Sequence, residues 1–164
     1  MVQIEKSGYT FSVDIEKTIE YYNTHSLCDC ACCRNFYAQV GKALPKLKDF
    51  LEGFGVDIAK PDEISSIESD NCIDYLNVDY TVCGVIINSS EYEIDIYDNL
   101  FLSIVVSDRF VSPNEPSGPY FTFSVTQIKL PWVLKEPIPT PIKVVKQNKL
   151  SKLFSKFLKN KEKD

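Results

Sequence analysis

Tyr9, Phe11 and Val13 alternate with Thr10 and Ser12, the two-residue period of a strand with one buried face. Asp14 then stands where a helix N-cap belongs, with Glu16 in the first turn and Ile15, Ile19 and Tyr22 at i, i+4 and i+7. A short helix is predicted there, ending near Asn23. A second helical pattern opens at Asp29 or Cys30 and carries Cys33, Phe36, Tyr37, Val40 and Leu44 on one face. Gly41 weakens it, and Pro45, favoured at a first helical position, restarts it through Leu47, Phe50, Leu51 and Phe54. Gly53 and Gly55 supply the stop.

Beyond the turn-forming Lys60-Pro61-Asp62 the period shortens to two. Strands are predicted over 63–68, 75–87, 92–97, 99–107 and 120–130. They are separated by Ser69-Asp70-Asn71, Asn88-Ser89-Ser90, Asp98-Asn99 and the segment 112–119. Consecutive strands joined by short polar turns predict an antiparallel meander. The expected fold class is therefore α+β, with two N-terminal helices packed on a mostly antiparallel sheet over residues 1–135. Residues 136–142 (Glu-Pro-Ile-Pro-Thr-Pro-Ile) read as a Pro-rich connector. In the last segment, 143–164, Leu150, Leu153, Phe154, Phe157 and Leu158 recur at helical spacing among lysines, which predicts a basic amphipathic helix.

The length of 164 residues, with 44% apolar and 25% charged content, is that of one ordinary globular domain. Charge is unevenly spread. Eight lysines against Glu162 and Asp164 give residues 143–164 a net +6, so that residues 1–142 carry −11 of the overall −5. Phosphate repulsion makes nucleic acid an unsuitable partner for such an acidic body. The basic helix is suited to docking on that body, on a protein partner or on an anionic membrane surface. The first residues hold no apolar signal segment, and no apolar run is long enough to span a bilayer. A cytoplasmic setting with reduced thiols is expected.

The chemistry concentrates between His25 and Arg34, where four of the six cysteines and the only histidine fall within ten residues. Cys28, Cys30 and Cys33 form Cys-x-Cys-x-x-Cys, a spacing that can bring three thiolates to one zinc ion, with His25, Cys72 or Cys83 as candidate fourth ligands. A second close cysteine pair, usual in structural zinc sites, is missing. Two other readings stand beside the metal one. Cys30-Ala-Cys32-Cys33 offers a redox Cys-x-x-Cys at a helix start near Arg34. Alternatively Cys33 and Cys30 are buried apolar side chains and Cys32 an exposed bystander. Arg34 is a candidate anion contact, with pairing to a nearby carboxylate as the alternative. Glu91, Glu93 and Asp95 alternate with Tyr92, Ile94 and Ile96, the pattern of a solvated sheet face. No Gly-rich phosphate loop, catalytic triad or nucleophile elbow is present in the sequence.

Cys28-Asp-Cys30-x-x-Cys33-Arg34-Asn35-Phe36-Tyr37, Phe54-Gly-Val-Asp-Ile58, Tyr80-x-Val-Cys-Gly84 and Leu130-Pro131-Trp132 together resemble a family of uncharacterised bacterial proteins, mostly from Firmicutes. The resemblance spans about residues 9–135. It implies no activity, and it singles out Cys28, Cys30 and Cys33 over Cys32. The expected function is that of a small binding or interaction protein with a structural zinc at the cysteines and no enzymatic motif. A thiol- or zinc-dependent enzyme centred on those cysteines is one alternative. The other is an inhibitor- or immunity-like protein that covers a basic partner by charge complementarity.

Overall fold

The computed structural model describes residues 1–98, 100–109 and 116–139. The basic helix expected at 143–164, and residues 140–142 of the connector, lie outside the described residues. Among the described residues, four helices and seven strands follow in the order β1 (Val2–Lys6), β2 (Tyr9–Val13), α1 (Ile15–Thr24), α2 (Ala31–Tyr37), α3 (Val40–Ala43), α4 (Pro45–Glu52), β3 (Glu63–Ser69), β4 (Cys72–Asn88), β5 (Ile94–Asp95), β6 (Ser103–Ser107) and β7 (Tyr120–Pro131). The fold class is α+β. The strands form one antiparallel sheet in the order β1-β2-β4-β7-β6-β5, with β3 also paired to β4.

That order corrects the meander. β7 returns to lie between β4 and β6 and pairs with β4 from Cys72↔Pro131 to Cys83↔Tyr120. Burial explains the placement. Phe121 to Val125 are buried on both faces of β7, so this strand belongs in the middle of the sheet. β5 and β6 are left at the edge, where β5 keeps only two residues of the six expected. Glu91, Glu93 and Asp95 are exposed beside it.

The second expected helix is also broken earlier than Pro45. α2 ends at Tyr37, and Gln39 leaves helical geometry at φ −140°. Its side-chain amide donates to the Asn35 carbonyl at 3.2 Å and to the Pro131 carbonyl at 2.7 Å, fastening the end of α2 to the end of β7.

β4 is long enough to pair with two strands along one edge. β3 covers it up to Asp79, and β2 takes over at Gly84. Alternate residues of a strand address opposite edges, so Thr81 and Cys83 present their backbone groups to the gap between β3 and β2. Side chains and backbone from outside the sheet satisfy them. Thr81 N–H donates to Asp62 Oδ2 at 2.8 Å, and Thr81 C=O accepts from the Tyr22 hydroxyl at 2.9 Å. Cys83 N–H donates to Thr18 Oγ1 at 3.1 Å, and Cys83 C=O accepts from Asp14 N–H at 2.8 Å. Thr18, fully buried in α1, is thereby accounted for.

Aromatic rings join the helices to the sheet. Phe11 of β2 stacks on Phe121 of β7 with centroids 5.1 Å apart, and Phe123 meets Phe50 of α4 at 5.4 Å and Phe54 at 4.9 Å. At the other end, Phe36 of α2 meets Tyr75 of β4 at 5.0 Å. This second contact seats the helix that carries Cys33.

Candidate metal centre

The centre is built where α1 ends and α2 begins. His25 closes α1 in an extended conformation, φ −76° and ψ 148°, with its N–H on the Tyr21 carbonyl. Cys30 opens α2 in a similar conformation, φ −70° and ψ 155°, and its carbonyl accepts from Arg34 N–H at 3.0 Å. Cys28 and Cys30 therefore lie on the approach to α2, and Cys33 lies within its first turn. The three Sγ atoms are within 4.8 Å of one another. Cys28 and Cys30 are exposed, and Cys33 is buried.

Cys28 and Cys33 are shifted in opposite directions. The Cys30 amide, followed by the Cys30 and Cys33 side chains, hydrogen-bonds to the Cys28 sulfur and holds this thiol below its ordinary range. Burial pushes the Cys33 thiol well up, with Cys30 and Cys28 beside it adding to the shift. Tyr37, one turn on, is raised by burial and by the adjacent Cys33. Cys28 on the rim therefore ionises more easily than Cys33 at the floor.

The surrounding residues hold this loop in place. Arg34 reaches back to the Asp29 backbone carbonyl, to Asp29 Oδ1 at 3.3 Å and across to Glu136 Oε1 at 2.5 Å. Arg34 is paired here with the Asp29 and Glu136 carboxylates, the alternative to an anion contact. Asn35 is fully buried and forms a clamp. Its Nδ2 donates to the Tyr75 hydroxyl and to the Pro131 carbonyl, each at 3.1 Å, and its Oδ1 accepts from Val133 N–H at 2.8 Å. The Tyr75 hydroxyl in turn donates to the Cys32 carbonyl at 2.9 Å.

His25 stands outside the trithiol group. Its ring stacks on Tyr21 with centroids 5.3 Å apart and meets the Tyr22 ring edge at 5.2 Å, so apolar packing directs it back over α1. Both ring nitrogens are buried there without a hydrogen-bond partner among the described residues. Cys32 is buried rather than exposed, and its Sγ lies 3.7 Å from Glu68 Oε1. Cys30 is exposed rather than buried, so the reading of incidental buried thiols fits Cys32 better than Cys30. Cys72 and Cys83 lie on β4 beside Lys129 and Thr18 respectively. All six cysteines are free.

The residues that sequence reasoning missed are Asn35, Gln39 and Tyr75. Their distant partners lie 40 to 98 positions away, at Tyr75, Pro131, Val133 and Cys32, beyond the reach of any periodicity. No protein-family model matches the chain, and no curated protein or solved structure matches it either. No described helix is long and apolar enough to cross a membrane.

Proposed function

We propose that the protein is a metal-binding protein that takes one zinc ion through Cys28, Cys30 and Cys33. The observation that carries this reading is the convergence of the three sulfurs within 4.8 Å. Zn–S bonds of about 2.3 Å in a tetrahedron set the sulfurs about 3.8 Å apart, so each would move inward by at most about 0.6 Å, within reach of small side-chain rotations. The fourth position is left to water or to a group brought by a partner. The clamped start of α2 supports the reading, because ligands held by their surroundings lose little freedom on binding. The acidic balance of residues 1–142 supports a second one, in which the same domain covers a basic surface of another protein.

The test is elemental analysis of the full chain purified without added metal, followed by zinc titration against a chromophoric chelator. One zinc per chain is expected, with strong loss of affinity in Cys28→Ser and in Cys30→Ser. Zinc-free protein that fails to compete with the chelator, and whose exposed cysteines alkylate at the same rate with or without zinc, overturns the proposal.

A further inference from the structure

The donor set at the centre stops at three. Among the described residues, Cys32 is turned to Glu68, His25 is packed between Tyr21 and Tyr22, and the Asp29 carboxylate is held by Arg34 at 3.3 Å. A tetrahedral dication bound by such a set must take its fourth ligand from water or from a partner. A centre whose fourth vertex is occupied by its own lone pair needs none. Trivalent arsenic bonded to three thiolates is a pyramid of that kind, complete without a further ligand.

Charge separates the candidates as well. Three thiolates leave a zinc complex at −1 and a monovalent copper complex at −2, whereas the trivalent arsenic complex is neutral. Asp29 sits between two of the ligating positions, and residues 1–142 already carry −11. A neutral adduct adds no charge to this acidic surface. Access fits too. Cys28 and Cys30 are exposed to an arriving solute, and Cys33 forms the floor.

We infer that the trithiol site is a receptor for trivalent arsenic, taken up as the neutral oxyacid As(OH)3. The inference rests on the same convergence of sulfurs as the zinc reading, and not on zinc being bound. Three As–O bonds break and three As–S bonds form. Each thiol proton leaves with a hydroxide as water, giving three waters in all, and arsenic stays trivalent throughout, so no oxidant or reductant takes part.

The test is titration of the full, metal-free chain with sodium arsenite under a thiol-free phosphine reductant, followed by native mass spectrometry and by the near-ultraviolet S–As absorption. The expected product is one arsenic per chain, without a retained hydroxyl, and with Cys28, Cys30 and Cys33 protected from alkylation. Cys28→Ser and Cys30→Ser, both at exposed positions where folding is not in question, leave a dithiol and weaken binding about 100-fold, as loss of a tethered third contact does. Cys32→Ser leaves binding unchanged. A wild-type adduct that keeps a hydroxyl, the absence of an adduct, or equal binding by Cys30→Ser overturns the inference. Zinc is titrated in parallel. A chain that takes zinc and not arsenite refutes this inference and leaves the zinc proposal intact, and one that takes arsenite and not zinc does the reverse.

Discussion

Replacing Asn35 with alanine tests whether the trithiol loop is held from behind. The side chain makes three hydrogen bonds from a fully buried position, to Tyr75, Pro131 and Val133. At a net worth of about 1 kcal/mol each, their loss costs about 3 kcal/mol. The partners decide whether more is lost. The Pro131 carbonyl keeps its bond from Gln39, and the Tyr75 hydroxyl keeps its bond to Cys32. Val133 N–H loses its acceptor, but Val133 is 50% exposed, so water can take the vacated place and the penalty of a dry, unpaired donor does not arise. The expected change is therefore about 3 kcal/mol in urea unfolding with an unchanged slope, or a fall of about 6–12 °C in thermal midpoint for a chain of this size. Faster alkylation of Cys33 in the native state should accompany it, because α2 loses one of its two ties to β7 and keeps only that of Gln39. A loss below about 1 kcal/mol would refute the clamp, since one ordinary hydrogen bond would account for it.

Gly84 has φ 151°, and a Cβ there would collide with the Ser12 carbonyl oxygen. Gly84→Ala should force β2 away from β4 and cost about 3 kcal/mol or more, read by thermal unfolding, and a midpoint equal to wild type would remove the close approach as an explanation. Alkaline stability follows from the buried phenols. Burial pushes Tyr75 up to about 12 and raises Tyr22 and Tyr80 well above 10.0. Between 10 and 12 the unfolded chain gives up phenol protons that the native chain keeps, so the native state binds more protons and stability falls as pH rises through that window. Urea unfolding at a series of alkaline pH values should show this fall, with a shallower slope in Tyr75→Phe, and an identical slope in that variant would contradict the assignment.

Local features were legible in the chain and distant pairings were not. Asp14 was readable as a cap because its partner is three residues on, and its Oδ1 accepts from Lys17 N–H at 3.1 Å. The cysteine spacing was readable for the same reason, since all three sulfurs belong to one turn and its approach. β1 escaped because its side chains are mostly exposed and carry no apolar period. The Ser7-Gly8 pair, at φ 49° and 82° between the paired Lys6 and Tyr9, is the signal that could have revealed its hairpin. The place of β7 between β4 and β6 depends on partners about 15 to 60 residues distant, where pattern alone cannot choose between neighbours. Asn35 is the sharpest case. A polar residue in a helix reads as surface, and only the arrival of Pro131 and Val133 makes it an interior side chain.

The gap in the β4 edge has a consequence for partial unfolding. Open backbone donors and acceptors on a strand are a template for another chain, and the stretch between β3 and β2 would be such a template in the middle of the sheet. Asp14, Thr18, Tyr22 and Asp62 close it from the side. A partly unfolded form in which α1 lifts away would expose the Thr81 and Cys83 backbone groups as a pairing edge, the kind of surface from which aggregation starts.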